Sequence, residues 1–257
     1  MVIIAITINM ARINPTALNN LSMVKFKLQS LSAVILGLLC LAVLILAVPR
    51  FVASLYALYP ESVLSQMPAH LPTDTYLNSI KALDDALTWD DNPEYWQAKG
   101  LCFLALLNFS NTSVVQRRLW LIDAKLAISK GLSGSPVDAF AWFRLAVVNK
   151  MLNVDAISED LRLSLYAGRV EPELLMHRLE LAYFSSLVLG SDESGLWLKQ
   201  VNLAWQLTPT KLVAFVIENP YAQEWVESAF VYDVEQLKHF NQAYDNATKK
   251  SITTRTH

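Results

Sequence analysis

The sequence predicts an all-α protein: a single N-terminal transmembrane helix followed by a TPR-like α-solenoid or helical bundle. Three observations lead there. An uncharged apolar run sits near the N-terminus, the remainder alternates helical periodicity with short breaks, and no segment keeps the period-two pattern of a strand with hairpin turn chemistry.

The apolar run comes first. Hydrophobic residues make up 53% of the 257-residue chain and charged residues 17%, against roughly 45–50% and about 25% in soluble proteins. Much of the excess lies between Lys27 and Arg50, where 22 consecutive positions carry no charge. As a helix these would rise about 33 Å, enough to cross a hydrocarbon core of roughly 30 Å. A cleaved signal peptide is the closest competitor, but it would have a shorter apolar core and a small-x-small site. Here the run breaks at Pro49-Arg50 without such a site, which favours an uncleaved anchor. Arg12, Lys25 and Lys27 precede the span and only Arg50 follows closely, so the positive-inside bias puts the N-terminus in the cytoplasm. In a bacterium that means an inner-membrane protein with a periplasmic domain. Met23 could be an internal start, and residues 1–22 are assigned no fold.

The expected organisation is a cytoplasmic segment over 1–26, the transmembrane helix and its extension over 27–59, a helical domain over 60–232 and a polar C-terminal helix or tail over 233–257, frayed at its end. Breaks are expected at Pro68–Asp74, Asp90–Pro93, Asn108–Ser113, Gly131–Pro136, Asn153, Gly168–Pro172, Gly190–Ser194, Thr208–Pro209 and Asn219–Pro220. Between them lie helices of about 10–18 residues, with apolar residues at three and four, as in Leu77, Ile80, Leu83 and Leu87.

Spacing suggests worn repeats. A tetratricopeptide unit is a 34-residue helix pair with a tryptophan four positions before a glycine in its first helix. Trp96 and Gly100 have that spacing, and Trp142 with Leu145-Ala146 opens a second unit. Met176 and Leu179 fall 34 residues after Trp142 and Leu145. The Trp96–Trp142 interval of 46 leaves about twelve extra residues for the first unit. A plain helical bundle is the alternative. Buried in a repeat core, Trp142 would contribute roughly 3–5 kcal/mol.

Little in the chain points to chemistry. No glycine array suits a phosphate, the four histidines have no metal-ligand spacing, and no G-x-S-x-G elbow occurs. The carboxylate pairs Asp84-Asp85, Asp90-Asp91, Glu171/Glu173 and Asp192-Glu193 suit solvated or capping roles. Cys40 lies in the span and Cys102 in an apolar helix, so neither suits a disulfide. A net charge of −2 gives no field for nucleic acid. The expectation is therefore a non-enzymatic protein with no catalytic residue, cofactor or metal site.

A partner-binding face is the one candidate site. Groove-facing positions of the repeat helices would be Phe140, Phe143 and Val147, then Leu174, His177 and Leu181. Arg144 and Arg178 are also 34 apart and could form a ladder that grips carboxylates; ordinary pairing with Glu171, Glu173 or Glu180 is the plainer reading. An apolar partner helix could fill the groove. So could the chain's own C-terminal helices, with Trp197, Trp205, Phe215, Trp225 and Phe230, and that reading is preferred.

The stretches Ala141–Ala146, Leu161–Ala182 and Val201–Trp205 resemble VpsP-type proteins of bacterial exopolysaccharide gene clusters over about residues 25–220. The resemblance implies a membrane-anchored accessory or scaffold protein of polysaccharide synthesis or export, with protein partners in that machinery and no functional residues to carry over. A periplasmic adaptor for secretion, division or cytochrome assembly, or an unrecognised glycan-active enzyme using a carboxylate with Arg144 or Arg178, are the competing readings.

Overall fold

A computed structural model describes residues 15–67, 71–110, 112–186 and 194–255, and all regular structure within them is helical. Arg12, the Asp192-Glu193 pair, Gly190 and part of the Pro68–Asp74 break lie outside the described residues.

Helix α1 runs Pro15–Leu64, 50 residues without interruption. It therefore includes part of the segment expected to have no fold, and it passes through Pro49 and Pro60 where a break and a domain boundary were expected. A proline removes one backbone hydrogen bond and kinks a helix without having to end it when flanking packing holds the axis. From Val34 to Val48 the large aliphatic side chains are exposed on every face. This is the one described helix long and apolar enough to cross a membrane.

Beyond Arg50, α1 changes character. Ala53, Ala57, Pro60 and Val63 are buried at helical spacing, whereas Phe51, Leu55, Tyr56, Leu58 and Tyr59 stay exposed. The buried stripe meets α2 (Thr73–Trp89), whose own buried face is Tyr76, Ser79, Leu83 and Ala86. That face is turned slightly from the leucine stripe read from sequence, and Leu77 is exposed. Alanines on both sides let the two backbones approach closely, and Leu83, Tyr95 and Cys102 fill the remaining space.

Helix α3 (Pro93–Leu106) follows a turn closed by Asn92, whose side chain accepts from Glu94 N at 2.9 Å. Helix α4 (Val114–Gly134) runs back along it, capped by Ser113, whose Oγ accepts from Gln116 N at 3.2 Å. Gly100 makes this crossing possible: a Cβ there would sit 2.6 Å from Ile128 Cγ1. Together with α5 (Ala139–Leu152) these helices enclose a second core of Phe103, Leu106, Trp120, Leu121, Ile128, Leu145 and Val148. Asn153, in the left-handed region at φ 56°, ends α5. Helices α6 (Ile157–Ala167) and α7 (Pro172–Phe184) then lead into the third core.

That core joins α5–α7 to α8 (Ser194–Leu207), α9 (Pro209–Glu218), a 3-10 turn at Pro220–Ala222, the short α10 (Gln223–Ser228) and α11 (Val234–Arg255). The end of the chain, expected to fray, is helical to Arg255. Two features account for this. Asp233 caps the helix, its carboxylate accepting from Gln236 N at 3.0 Å through Oδ1 and from Gln236 Nε2 at 2.7 Å through Oδ2. Leu237, Phe240, Tyr244 and Ala247 then pack one face against the core. Helices α4, with 21 residues, and α11, with 22, exceed the expected range, and α10, with six, falls short of it.

Trp142 is half-buried at the edge of the second core, and its Nε1 donates to Pro136 O at 2.8 Å. Its truncation should therefore cost about 2 kcal/mol, below the range for a fully buried tryptophan. Leu83→Ala, at a site 1% exposed, should cost about 3 kcal/mol. Thermal unfolding of the detergent-solubilised full chain separates the two: equal shifts would mean that Trp142 packs as a core residue.

Candidate functional site

The face predicted to bind partners is assembled from α5 and α7. Helix α5 is set by Asp138, whose carboxylate accepts from Ala141 N at 2.9 Å, and α7 by Pro172 in its first turn. The fold does bring the two sets together. Phe143 and His177 lie with ring centroids 6.2 Å apart. The guanidinium of Arg144 lies over the Phe140 ring at 5.8 Å. Burial lowers the Arg144 pKa, with Asp138 opposing the shift. Val147 and Leu181 are half-buried, Leu174 is buried, and His177 is exposed with Nδ1 3.8 Å from Glu180 Oε2.

The C-terminal helices pack beside this face. Trp197, Phe215 and Phe230 are buried in one cluster with Leu175, Met176 and Leu179, and Phe143 and Leu181 rest against its edge. Tyr183 of α7 stacks on Trp225 at 5.7 Å and meets Phe215 edge-on at 5.6 Å. Trp205 contacts Phe230 and Phe240 farther along.

Arg144 and Arg178 differ in environment despite their 34-residue spacing. Arg178 is fully buried and none of its side chain reaches solvent. Its Nε donates to Ser164 Oγ at 2.9 Å, Nη2 to Ser164 O at 2.7 Å and Nη1 to Gly168 O at 2.8 Å. Ser164 Oγ in turn donates to Ala139 O at 2.6 Å. The guanidinium thus satisfies carbonyls at the end of α6, where the helix dipole favours a cation, and through Ser164 reaches the start of α5. Burial lowers its pKa to about 10, with Glu171 pulling the other way, so it is charged at neutral pH. The pairing foreseen with acidic side chains is replaced here by backbone carbonyls. Gly168 allows the approach: a Cβ would meet Ala139 Cβ and Glu171 Cγ, each at 2.9 Å.

Comparison with known protein families and with characterised proteins finds no match. The site is therefore judged on its own geometry. Among the described residues, no group of three or more His, Cys, Asp or Glu could hold a metal. Sequence reasoning missed a polar cleft of about 580 Å³ lined by Arg169, Val170, Lys199, Gln200, Asn202, Leu203 and Gln206. Its lining carries two cations, Arg169 and Lys199, and the amides of Gln200, Asn202 and Gln206. Its residues come from the loop between α6 and α7 and from α8, segments that no short-range spacing connects. A second cavity, of about 410 Å³, is apolar and lies between α9 and α11, beside Trp205 and Val213.

One buried acid completes the α5–α6 contact. Asp160 accepts from Asn149 Nδ2 at 2.6 Å, and its pKa is raised by desolvation, a shift opposed by Asn149 and Lys125. A folded-state pKa above the unfolded value means that the native state holds the proton more tightly. This contribution is therefore present in full at low pH and is lost as pH rises from the ordinary carboxylate value through the raised one. Asp160→Asn keeps an acceptor for Asn149, so it should remove that fall and leave the protein as stable or more stable at pH 7. Arg178→Met should instead cost about 2–4 kcal/mol, because Gly168 O loses its donor and Ser164 loses the two hydrogen bonds that tie it to α7. Thermal midpoints across pH 3–8 test both, and an unchanged midpoint for Arg178→Met would refute its role as a structural tie.

Proposed function

We propose that this chain is a membrane-anchored, non-enzymatic scaffold of bacterial exopolysaccharide synthesis or export, with its helical domain in the periplasm. The observation that carries the reading is the double use of α1. One half is apolar on every face, and the other half is the first core helix of the domain. The apolar stretch continues without a break into the helix that carries Ala53 and Ala57, which favours a permanent anchor. The excess of Arg12, Lys25 and Lys27 over Arg50 supports a cytoplasmic N-terminus.

The domain itself suits a scaffold. Its groups with chemical potential serve packing: Arg178 ties α6 to α7, and Cys102 is buried with its thiol pushed up to about 12. Helices α3 and α4, then α5 and α6, associate as close pairs, with α7 and α8 following. That succession supports the reading of degenerate TPR-like repeats with their first helices at Trp96, Trp142 and Met176. The exopolysaccharide assignment rests on the resemblance carried by Ala141–Ala146, Leu161–Ala182 and Val201–Trp205. The polar cleft beside Arg169 and Lys199 favours a second reading, in which the domain itself holds an anionic or hydroxyl-rich chain segment.

Deletion of the gene should reduce cell-associated matrix polysaccharide, and a plasmid copy should restore it. Crosslinking in native membranes should capture enzymes or exporters of that polysaccharide. Normal matrix together with partners from secretion or division machinery would replace this reading with a general envelope adaptor.

A further inference from the structure

Helix α4 is apolar on two opposite faces. One face, with Trp120, Leu121, Ala124, Ala127, Ile128 and Leu132, is buried in the domain. The other carries Val115, Leu119, Ile122 and Leu126, whose exposures run from 48% to 71%. Their spacing of four, three and four is the spacing of a coiled-coil seam, with Leu119 and Leu126 at a positions and Val115 and Ile122 at d positions. The seam is about 17 Å long and ends in Ser129 and Ser133, which continue the same face.

We propose that this seam pairs with the same seam on a second copy of the chain, as a parallel helix pair in one membrane. The flanking charges identify the occupant. Arg118 holds the position before Leu119 and Asp123 the position after Ile122, so they occupy the g and e flanks. In a parallel pair, a g residue faces the e residue five positions later on the partner helix. Arg118 then faces Asp123 of the other copy, twice by symmetry. Both are exposed, and among the described residues neither has an ion pair within its own chain. The next flank would oppose Lys125 and Lys130. Lys130 lies 3.8 Å from Asp91 of its own chain, and Lys125 is near enough to Asp160 to lower its pKa, so each has a local counter-charge.

The direction of α4 fits a shared bilayer. The α2–α3 turn, Asp90–Tyr95, borders a cleft with Arg50 at the end of the apolar stretch. The last residue of α4, Gly134, lies against Pro93 of that turn, whereas its first turn lies by Leu107, whose carbonyl accepts from Arg117 at 2.6 Å. Helix α4 therefore points toward the apolar half of α1. Two copies anchored side by side present it in the same sense, as a parallel seam requires. Four aliphatic side chains bury less than the roughly 800 Å² per partner of a stable free dimer. Confinement to one membrane raises the effective concentration and makes up the difference.

The test uses the full chain in native membranes with Cys40→Ala. Cys102 can stay, because it is buried and its thiol is pushed up to about 12. Under mild oxidation Ile122→Cys should give a disulfide-linked dimer, while Tyr221→Cys, at a site 94% exposed and far along the chain from α4, should not. Adding Arg118→Asp or Asp123→Arg to Ile122→Cys should each lower the yield at least about threefold, because like charges then oppose across the seam. Coexpressing these two variants with different tags should restore a mixed dimer, in which both flanking pairs again join opposite charges. Unchanged far-UV melting of each variant confirms that these exposed changes leave the fold intact. Equal crosslinking at Ile122→Cys and Tyr221→Cys would overturn the proposal. So would a crosslink from Ile122→Cys to a different protein, or reversals without effect on yield.

Discussion

The close approach of α1 to α2 fixes how everything else is arranged. Ala53, Ala57 and Pro60 present small surfaces, and α2 answers with Ser79 and Ala86, so the two axes come near enough for Leu83 to be sealed between them and α3. Helix α1 is continuous from its apolar half to Leu64, so no flexible linker separates that half from the domain. The directions of α2, α3 and α4 follow by short turns, each helix reversing the one before. A larger residue at Ala57 would push α1 away from both α2 and α3, because Leu83, Ala86, Tyr95 and Cys102 share that core with it.

A second joint holds the later helices. Arg178 makes a fully buried charge acceptable by directing its donors at the Ser164 and Gly168 carbonyls at the end of α6. Burying a guanidinium costs far more than burying an aliphatic chain of similar volume unless its donors are satisfied. Ser164 O also accepts from Gly168 N at 3.2 Å, so Arg178 adds a second donor there and supplies the one to Gly168 O. Ser164 extends the tie to Ala139, and three helices are fixed by one cation and one hydroxyl. Arg144, 34 residues earlier, is held differently: its guanidinium lies over the Phe140 ring.

How much of this was legible follows from the range of the interactions concerned. Turns at Asp90–Pro93, Gly131–Pro136, Asn153, Gly168–Pro172 and Thr208–Pro209 could be read because capping and proline act within a few residues. The apolar half of α1 could be read because length and absence of charge suffice. The continuation through Pro49 and Pro60 could not, since it depends on packing against α2 from residues far along the chain. The rotation of the α2 face has the same origin: Tyr76 and Ser79 are buried by what lies opposite them, whereas Leu77 is left outside. In the candidate site, Phe143 and His177 lie on adjoining helices with their rings close together, but the fate of Arg178 depended on the end of α6, which spacing on α7 does not report. The α4 seam could have been found from its four-three-four spacing; it was hidden because the opposite face is equally apolar, so the helix shows no simple amphipathic pattern.

These two joints together constrain what the molecule can do. A domain joined stiffly to its apolar helix holds its surfaces at a set height and rotation above the membrane in the proposed topology, so recognition depends on which faces are turned sideways. Helix α4 is such a face, because its long axis runs back toward the apolar half of α1. The α5–α7 face borders the core that holds Trp197, Phe215 and Phe230, with Phe140 and Arg144 half-buried and His177 exposed along its rim. Lateral contact through α4 would leave that rim and the Arg169–Lys199 cleft free on each copy, since they belong to later helices. Pairing and partner binding would then use separate surfaces of one rigid body. A scaffold needs that separation, because a single shared surface would force its contacts to compete.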